Sequence, residues 1–492
     1  MRKRLLIVFV VLLLPLWLVA AVTIHISDPK RWGNSALESY VGQEVVFDVP
    51  MYIVNNNRYQ VAPCRIFSNS IRGGVTEING ISGYHRMGEM IRGLKAYVGK
   101  SGNGCYLSYK GGTFFGNTRD DILKGPDMRQ IDANGQHTLL VCAANLEYYL
   151  VETFGTGYGP DNAEEHEKQR TKTIPALSLI NADIYGFCEV ERGTGALGEI
   201  CRELNKLHPE RQYDMVYNGV TLSGSYTMSC YVYDKKKVMA VGPCWDSQTG
   251  VKCRKFMQLF IEKETGEGFI FSINHFQSKV SADDEVRTRE AYAVNSLYET
   301  YSLHCYENDV LIMGDLNAYP DEDPIQVLLQ NGKRTDLHTY FHADTSYSYT
   351  YSYDNFAANY LDHAICNASM LPQVTGMQAY HINSDERDCY TYDGGCYDGS
   401  MFRYSDHDPI LVGLRLSGEV VTGLMVNNFG MGVRIRNGEG GYVRIYDING
   451  NLITQSVVDN SDMVLNPVMQ SGCYIIHVYH DGQTHVTKYI HP

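Results

Sequence analysis

Carboxylates, amides and imidazoles adjoin apolar, strand-like runs at several places in the middle of this chain, mostly where a strand ends and, for Asp406 and His407, where a strand starts. The side chains concerned are Asn145, Glu189, His275, Asp315, Asn317, Asp362, His363, Asp406 and His407. Each by itself is weak evidence, because such residues commonly end strands by bonding to local backbone. As a set they can converge on one rim of a sheet sandwich, and ligand sites favour such rims.

The residue types in this set suit the hydrolysis of a phosphate ester. Oxygen donors without thiolates fit a hard cation such as Mg²⁺, Mn²⁺ or Ca²⁺. Histidines beside carboxylates fit general acid–base work. Together they can neutralise phosphoryl oxygens, activate water and stabilise a leaving oxygen. The sequence contains no Gly-x-Ser-x-Gly elbow, Walker loop, dinucleotide fingerprint or His-Glu-x-x-His helix, so those enzyme classes are not indicated.

The stretch LIMGDLNAYPDEDP carries two of the candidate residues. Asp315 and Asn317 lie two positions apart, so both side chains share one face if the strand geometry persists. Asp321, Glu322 and Asp323 lead into a proline and a helix-like run. We therefore interpret these three acids as charges at a helix N-terminus and not as metal ligands.

Alternating strand-like and helix-like segments must position these residues. Between about 136 and 416 we predict strands at 137–145, 183–191, 269–276 and 309–317, and helices at 161–182, 195–209 and 283–302. This alternation predicts a layered α/β domain. The segment 38–115 reads as β throughout, which predicts a small β-barrel-like or sandwich domain. From about 425 onward, two hairpins with Asn-Gly and Asp-Gly turns predict a small β-sandwich.

Length and charge bound the interpretation. The 492 residues are too many for one core, so the chain divides into several domains. We place a signal peptide at 1–21, an N-terminal β domain and linker at 22–130, the catalytic domain at 131–417, and a linker and C-terminal β-sandwich at 418–492. The net charge of −14 argues against a broad basic surface for nucleic acid. It leaves room for a phosphate-handling enzyme whose positive charge comes from a bound cation.

The N-terminus predicts export. Arg2, Lys3 and Arg4 precede an apolar run over 5–18, and small residues follow at 19–21, which is the pattern of a cleaved signal peptide. An uncleaved anchor is the alternative, because the apolar run is a little long. No later segment is apolar enough to span a membrane, so we expect no stable span after cleavage.

Thirteen cysteines fall into two groups. Cys142, Cys188 and Cys230 lie inside apolar runs and are expected to be packed thiols. Two close pairs lie in polar loops, and export makes disulfides the expectation there: Cys244 with Cys253, and Cys389 with Cys396. No cysteine spacing reads as a zinc site.

The motifs, in their order, resemble the endonuclease/exonuclease/phosphatase superfamily over about 136–416. They are NLEYY, DIYGFCEVE, NHFQSK, GDLNAYPDEDP, YLDHA, HINSDE and SDHDPILVGL. The resemblance implies a two-sheet α/β sandwich with its active site at one end. NHFQSK, NAYPDEDPI and HINSDE are most similar to the secreted bacterial nucleases of the superfamily. Those often carry an oligonucleotide/oligosaccharide-binding-type barrel, which is how we interpret the N-terminal β domain.

The resemblance also implies roles. Glu189 is the principal metal ligand, with Asn145 and Asp406 beside it, and Asp315 and Asn317 contact the scissile phosphate and the attacking water. In the same scheme His407 is the general base or a stabilising imidazolium, Asp362 orients His407, and His275 is the general acid or a second phosphate contact. The division of roles between the two histidines is a hypothesis.

Four further residues have weaker assignments. Arg254 falls where the family has a phosphate-binding basic residue, although the proline that usually follows is missing. Glu191 is interpreted as a supporting residue and His363 as structural. For His381 the sequence leaves open a loop position or a place behind the site.

The C-terminal segment resembles the sorting domain of proteins exported by the type IX secretion system. This implies passage through the periplasm, then release or attachment to the outer cell surface, with the secretion machinery as a partner. We therefore predict a secreted, metal-dependent phosphodiesterase, with DNA a better expected substrate than RNA and Mg²⁺ the expected cation. A lipid or inositol phosphatase or a sphingomyelinase is the alternative enzyme, and a non-catalytic surface-binding protein the alternative of another class. The sequence does not indicate an oligomeric state.

Overall fold

The computed structural model describes most of the chain in two compact units. One unit comprises residues 1–64, 72–85 and 89–116, and the other comprises 65–71, 86–88 and 117–492. The described residues are 21–29, 32–64, 75–102, 104–217, 225–246, 255–305, 307–342, 350–353, 357–416, 424–429, 432–460, 462–465, 469–470 and 472–491. The signal peptide predicted at 1–21 lies almost wholly outside them. Arg254 and Cys253 also lie outside them, so their assignments stay predictions.

The described residues of the first unit form one sheet of seven strands. They are β1 (Val22–Ile24), β2 (Glu44–Phe47), β3 (Met51–Asn55), β4 (Gln60–Ala62), β5 (Thr76–Asn79), β6 (Met90–Ser101) and β7 (Gly104–Phe115). Pairing runs β6-β3-β4-β5-β7 and returns from β7 to β6, so five strands close into a ring, while β2 and β1 extend the sheet beyond β6. Apolar side chains such as Phe47, Ile53 and Leu107 fill its core.

In the part of the second unit that the structure describes, the predicted α/β domain comprises helices and fourteen strands. The helices are α1 (Arg119–Ile122), α2 (Met128–Ile131), α3 (Ala163–Ile180), α4 (Gly195–Leu207), α5 (Asp284–Cys305), α6 (Asp323–Leu329) and α7 (Leu337–Phe341). The strands are β8 (Leu139–Tyr149), β9 (Ile184–Glu191), β10 (Tyr213–Val216), β11 (Thr227–Asp234), β12 (Val238–Asp246), β13 (Lys255–Glu262), β14 (Gly268–Asn274), β15 (Val310–Asp315), β16 (Arg334–Asp336), β17 (Tyr351–Tyr353), β18 (Ala357–Asn359), β19 (Asp362–Asn367), β20 (Val374–Ala379) and β21 (Ile410–Leu414). Each predicted strand and helix of this region is present, with ends shifted by a few residues.

Two six-stranded sheets face each other in this domain. One has the order β10-β11-β9-β8-β21-β20 and the other the order β12-β13-β14-β15-β19-β16. Inward-facing apolar side chains of both sheets form one shared core, as Val141 and Ile184 of the first do with Phe271 and Met313 of the second. Helices α3 and α4 pack on the outer face of the first sheet, and α5 and α6 on that of the second. The predicted two-sheet α/β sandwich is confirmed.

Local sequence explains where the main helices begin and end. The side chain of Asn162 accepts hydrogen bonds from the backbone of Glu164 and Glu165, which caps the first turn of α3. Asn181 ends α3 in a left-handed conformation that asparagine tolerates. Helix α6 begins at Asp323 with a proline in its first turn. The interpretation of this acidic segment as a helix start is confirmed.

The C-terminal region forms two small antiparallel sheets. Their strands are β22 (Met425–Phe429), β23 (Gly432–Arg436), β24 (Tyr442–Asp447), β25 (Leu452–Val457), β26 (Asp462–Leu465), β27 (Gly472–His480) and β28 (Gln483–His491). The orders are β22-β23-β26 and β25-β24-β27-β28. Asp481 and Gly482 join β27 to β28 with positive φ at both residues, as a two-residue hairpin turn requires.

Cysteine and membrane expectations can be compared with the described residues. Cys389 and Cys396 form a disulfide, as predicted. Cys142, Cys188 and Cys230 are buried, which confirms them as packed thiols. Within the described ranges, no helix combines the length and the apolar character needed to cross a membrane.

Candidate active site

One carboxylate oxygen, Oδ2 of Asp315, lies at the centre of the predicted site. Asn145 Nδ2 donates a hydrogen bond to it at 3.1 Å. His407 Nε2 lies 3.6 Å from it and His275 Nε2 lies 3.7 Å from it. Asp315 is the last residue of β15 and is buried, and burial raises its pKa although the two histidines oppose that shift. Three predicted residues therefore meet on a fourth: Asn145 from β8, His275 from just after β14, and His407 from the loop before β21.

Asp362 and His407 form the carboxylate–imidazole pair that the sequence predicts. Strands β15 and β19 are antiparallel, and their register places Asp362 directly opposite Asp315. His407 Nδ1 lies 2.7 Å from Asp362 Oδ2, and the hydroxyl of Thr350 donates to the same oxygen at 2.8 Å. With Nδ1 engaged, Nε2 is the ring nitrogen that faces the site. Burial lowers the pKa of His407, but the charges of Asp362, Asp315 and Asp406 outweigh it and hold that pKa well above its usual range.

Glu189 lies on the first sheet, at a bulge in β9. Two residues of β9 oppose one residue of β11 there, and Glu189 has a φ of +60°. Its Oε2 accepts a hydrogen bond from the backbone N–H of Tyr148 at 3.1 Å, and its Oε1 lies 3.4 Å from His275 Nε2. Burial, followed by the charges of Asp406 and Asp315, raises the pKa of Glu189 to about 8. This carboxylate is crowded by others of the same sign.

Asp406 and Asn317 complete the cluster from its two edges. Asp406 is partly exposed, and its Oδ2 lies 3.9 Å from His407 Nε2. The backbone N–H of Asn317 donates to Asp315 Oδ1 at 2.9 Å, and its side chain donates to the carbonyl of Phe276 at 3.1 Å. Asn317 therefore braces the strand end behind Asp315. Asp406 and His407 were predicted at the start of a strand, but β21 begins only at Ile410, so they lie in the preceding loop.

The residues with weaker assignments lie apart from the site atoms. Glu191 accepts three backbone N–H groups, from Val151, Glu152 and Thr153, at 2.7–2.9 Å. The bulge at Glu189 breaks the alternation, so Glu191 does not share its face despite lying on the same strand. His363 is fully buried, and its Nε2 lies 2.8 Å from the carbonyl of Ala318.

His381 belongs to a clamp behind His407. Asp408 Oδ1 accepts the backbone N–H groups of Asn383 and Ser384, and its Oδ2 accepts the Ser384 hydroxyl and lies 2.9 Å from His381 Nδ1. The side chain of Asn383 donates to the carbonyl of His407 at 2.7 Å. The sequence left open whether His381 is a loop residue or a residue behind the site. Its contact with Asp408 places it behind the site.

Some residues of this arrangement were missed from the sequence. Glu147 follows Asn145 by two positions, and its φ of +49° lies in the left-handed region. Its Oε2 is inaccessible to solvent and has no hydrogen-bond partner among the described residues. Burial, followed by the charge of Asp406, raises its pKa well above the usual range. Its spacing from Asn145 was the available signal, whereas nothing local indicated Thr350 or the Asp408 clamp.

The donor set fits a divalent cation. Buried carboxylates that crowd one another, with one orphaned oxygen among them, are stabilised by a nearby positive charge. Asp315, Asp362 and His407 alone place one donor atom each within 4.8 Å of one another, which is close enough to hold an ion. Carboxylate and amide oxygens on the side of Glu189 and Asn145 have the chemistry that Mg²⁺, Mn²⁺ and Ca²⁺ prefer.

Comparison with protein families matches a segment that carries five of the eight residues of this cluster. Residues 276–407 match the model of the Endonuclease/Exonuclease/phosphatase family. That range includes Asp315, Asn317, Asp362, Asp406 and His407, while Asn145, Glu189 and His275 precede it. A search of the curated proteins gave no match.

Three solved structures illustrate what the chain is similar to. The human Nocturnin catalytic domain with bound sulfate is 13% identical, with 57% of this chain and 94% of that chain covered and a TM-score of 0.41. A mannosyl-6-phosphatase of Bacteroides thetaiotaomicron is 17% identical, with 57% and 100% covered and a TM-score of 0.40. The D. rerio TDP2 complex with a single-strand DNA product is 15% identical, with 56% and 99% covered and a TM-score of 0.40.

Proposed function

We propose that this protein is a secreted, divalent-cation-dependent phosphodiesterase that hydrolyses DNA. The observation that carries the proposal is the convergence on Asp315: Asn145, His275 and the His407 of the Asp362–His407 pair lie next to its carboxylate, and Glu189 lies next to His275. Hydrolysis of a phosphodiester needs a held phosphate, an activated water and charge stabilisation, and this donor set offers a group for each.

The residues divide into a cation side and a proton-transfer side. Glu189, Asn145 and Asp406 would hold the cation, which when bound neutralises phosphoryl oxygens and so lowers the barrier to attack by water. Asp315 and the backbone around Asn317 position the attacking water and the phosphate. Asp362 holds the imidazole of His407 with Nε2 towards the reacting groups, as a carboxylate orients a catalytic histidine in hydrolytic triads.

The roles of the two histidines can be separated by kinetics. We assign His407 as general base or stabilising imidazolium, and His275 as general acid or second phosphate contact. The pH–rate profiles of His275→Ala and His407→Ala should each lose one limb of the wild-type profile. If both variants kept unchanged acid and alkaline limbs, this division would be wrong.

A lipid or inositol phosphatase, or a sphingomyelinase, is the competing proposal, because one site on one fold can serve many phosphoesters. The motifs NHFQSK and HINSDE favour the nuclease. The Tyr-rich segment around 351–359, which a lipid enzyme could use as a membrane contact, pairs instead as the hairpin of β17 and β18. This pairing supports an interpretation of the segment as ordinary strand structure.

Export and sorting are part of the proposal. The N-terminal pattern and the hairpins of the C-terminal sheets support passage through the periplasm and delivery to the medium or the outer surface. Appending residues 424–492 to a reporter exported to the periplasm should bring it to the cell exterior in a host with a type IX system. Retention of that fusion in the periplasm would contradict the proposed sorting function of the C-terminal region.

One assay tests the catalytic proposal. Purified protein is incubated with plasmid DNA, RNA, inositol phosphates and sphingomyelin, with Mg²⁺, Mn²⁺ or Ca²⁺ or with chelator. We expect DNA cleavage that chelator abolishes and that Glu189→Ala and His407→Ala reduce by at least about a hundredfold, as removal of one such group usually does. Cleavage of lipid but not DNA would favour the competing enzyme, and inactivity on every phosphoester would favour a binding protein.

A further inference from the structure

Two tyrosine rings stack beside the carboxylate site, and the proposed chemistry does not use them. The rings of Tyr148 and Tyr158 have centroids 5.0 Å apart and planes 17° from parallel. Tyr148 is also the residue whose backbone N–H holds Glu189 Oε2 at 3.1 Å. One ring of the stack therefore belongs to a residue whose backbone contacts a candidate cation ligand.

The segment that carries Tyr158 is built to approach Tyr148 closely. In the sequence GTGYG, Gly155, Gly157 and Gly159 all have positive φ. A Cβ on Gly159 would lie 2.7 Å from the carbonyl oxygen of Tyr148 and 2.8 Å from its Cβ, so only glycine allows this approach. The hydroxyl of Thr156 donates to the carbonyl of Tyr158 at 2.7 Å and accepts from its N–H at 3.2 Å, which closes the turn.

The outer ring of the stack is open to solvent. Tyr158 is 60% exposed, whereas the stacked rings of Tyr185 and Phe187 in the same domain are fully buried. A ring that served packing alone would cover apolar surface, but Tyr158 rests on another tyrosine and presents the remainder of its surface to water. An exposed, rigidly held aromatic face is what a planar ring can stack on.

We propose that Tyr148 and Tyr158 form a stacking platform for a nucleobase next to the scissile phosphate. The proposal rests on the proposed nuclease function and specifies its substrate as a strand with an unpaired base at that position. A neutral base suits this place better than a phosphate, because the surrounding carboxylates repel uncompensated negative charge. In a duplex both faces of an internal base are covered, so the platform favours single-stranded or frayed ends.

The platform can be tested with paired substrates and matched variants. Single-stranded oligonucleotides carry either 2-aminopurine or an abasic tetrahydrofuran residue beside one cleavable phosphate. The variants are Tyr158→Ala, Tyr158→Phe, which keeps a ring, and Tyr292→Ala, which removes an equally exposed tyrosine from α5. We expect Tyr158→Ala to raise KM for the 2-aminopurine substrate roughly tenfold, in line with the loss of one stacking contact. Tyr158→Phe and Tyr292→Ala should match the wild type.

The abasic substrate supplies the control. All variants should cleave it with the same KM, since it offers no ring to stack. An equal loss on both substrates would show that Tyr158 contacts the backbone or the sugar, and an unchanged KM on the 2-aminopurine substrate would also overturn the proposal. Because Tyr158 is mostly exposed, thermal unfolding should confirm that Tyr158→Ala keeps the fold.

A binding measurement separates this proposal from the nuclease proposal. In His407→Ala protein with Mg²⁺, stacking should quench 2-aminopurine fluorescence, and adding Tyr158→Ala should remove the quenching. If the wild type cleaved no nucleic acid but this quenching persisted, the nuclease function would fail and the platform would stand. If the quenching did not depend on Tyr158, the stacking proposal would be wrong, whatever the cleavage assay showed.

Discussion

At the scale of single residues, the site depends on how neighbouring carboxylates are satisfied. Glu189 and Glu191 lie on the same strand, yet their environments are opposite. Glu191 accepts three backbone N–H groups, whereas Glu189 lies among the charges of Asp406 and Asp315. The hydrogen bonds to Glu191 stabilise the folded chain. The negative charges around Glu189 lower its stability until a cation balances them.

Glu189→Gln and Glu191→Gln should therefore change stability in opposite directions. Without divalent cation, Glu189→Gln should raise the free energy of unfolding, because a carboxyl whose pKa is raised to about 8 has to bind a proton on folding at neutral pH, and an amide does not. Glu191→Gln should lower it by about 1–3 kcal/mol, since buried N–H groups lose a charged acceptor. Urea unfolding at neutral pH checks both.

Adding Mg²⁺ completes this comparison. The wild type and Glu191→Gln should gain stability with ligand concentration, and Glu189→Gln should gain little. An equal gain in all three proteins would show that Glu189 does not hold the cation.

At the scale of elements, the loops that hold the site are fixed by buried polar contacts. The loop after β20 reaches the catalytic segment through Asp408, and the disulfide between Cys389 and Cys396 closes the same loop further along. Fully satisfied buried polar groups of this kind favour one geometry over others. His407 therefore owes its position to the earlier part of the loop between β20 and β21, residues 381–384, which contributes no proposed catalytic atom.

Asp408→Asn should weaken catalysis through this loop. An amide cannot accept all four hydrogen bonds of the carboxylate, so we expect stability to fall by about 1–3 kcal/mol. The value of kcat should fall with a smaller change in KM, because His407 moves while Glu189 in β9 and Asn145 in β8 remain in place. Asp388→Asn, in the same loop but with an exposed side chain paired to Arg403, is the control and should have little effect. Equal effects of the two substitutions would refute the clamp.

Strand β15 reaches the site only because it contains a glycine. Gly314 has a φ of +123°, and a Cβ there would lie 2.1 Å from the carbonyl oxygen of Asn274 in β14. Gly314→Ala should cost roughly 3 kcal/mol or more and displace Asp315. Gly193→Ala, with φ +97° and open space around it, should cost only about 1 kcal/mol. Chemical denaturation measures both, and similar costs would show that the strands separate easily.

At the scale of the whole molecule, the net charge of −14 sets how a polyanion can bind. Phosphate recognition through rows of Lys and Arg releases counterions, so affinity then falls steeply with salt. An acidic protein that holds its substrate through a cation and a stacked base gains little binding free energy from counterion release. Electrostatic steering would in fact oppose the encounter at low salt.

Cleavage of single-stranded DNA should therefore depend weakly on ionic strength. Between 50 and 200 mM NaCl at fixed Mg²⁺, we expect kcat/KM to change by less than about tenfold, against the roughly 10³-fold or greater loss typical of proteins with many phosphate contacts. Initial rates over this range suffice. A steep fall would reveal a basic binding surface that the net charge conceals.

Sequence alone determined the element order of the α/β domain and most of the candidate residues. Periodicity and turn residues are local, so the alternation of strands and helices could be predicted from short windows. Chemical type is local too, which is why Asn145, Glu189, His275, Asp315, Asp362 and His407 could be singled out. The Cys389–Cys396 disulfide was accessible for the same reason, because its partners are 7 residues apart.

Tertiary structure decided which atoms meet. Asn145 and Asp315 are 170 positions apart, and Asp362 opposes Asp315 only through the register of an antiparallel ladder. The bulge at Glu189 turned Glu191 away from the site, and Thr350, the Asp408 clamp and the Tyr148–Tyr158 stack follow from loop contacts. Such contacts depend on register and loop geometry summed over the whole fold, and no local pattern in the sequence encodes them.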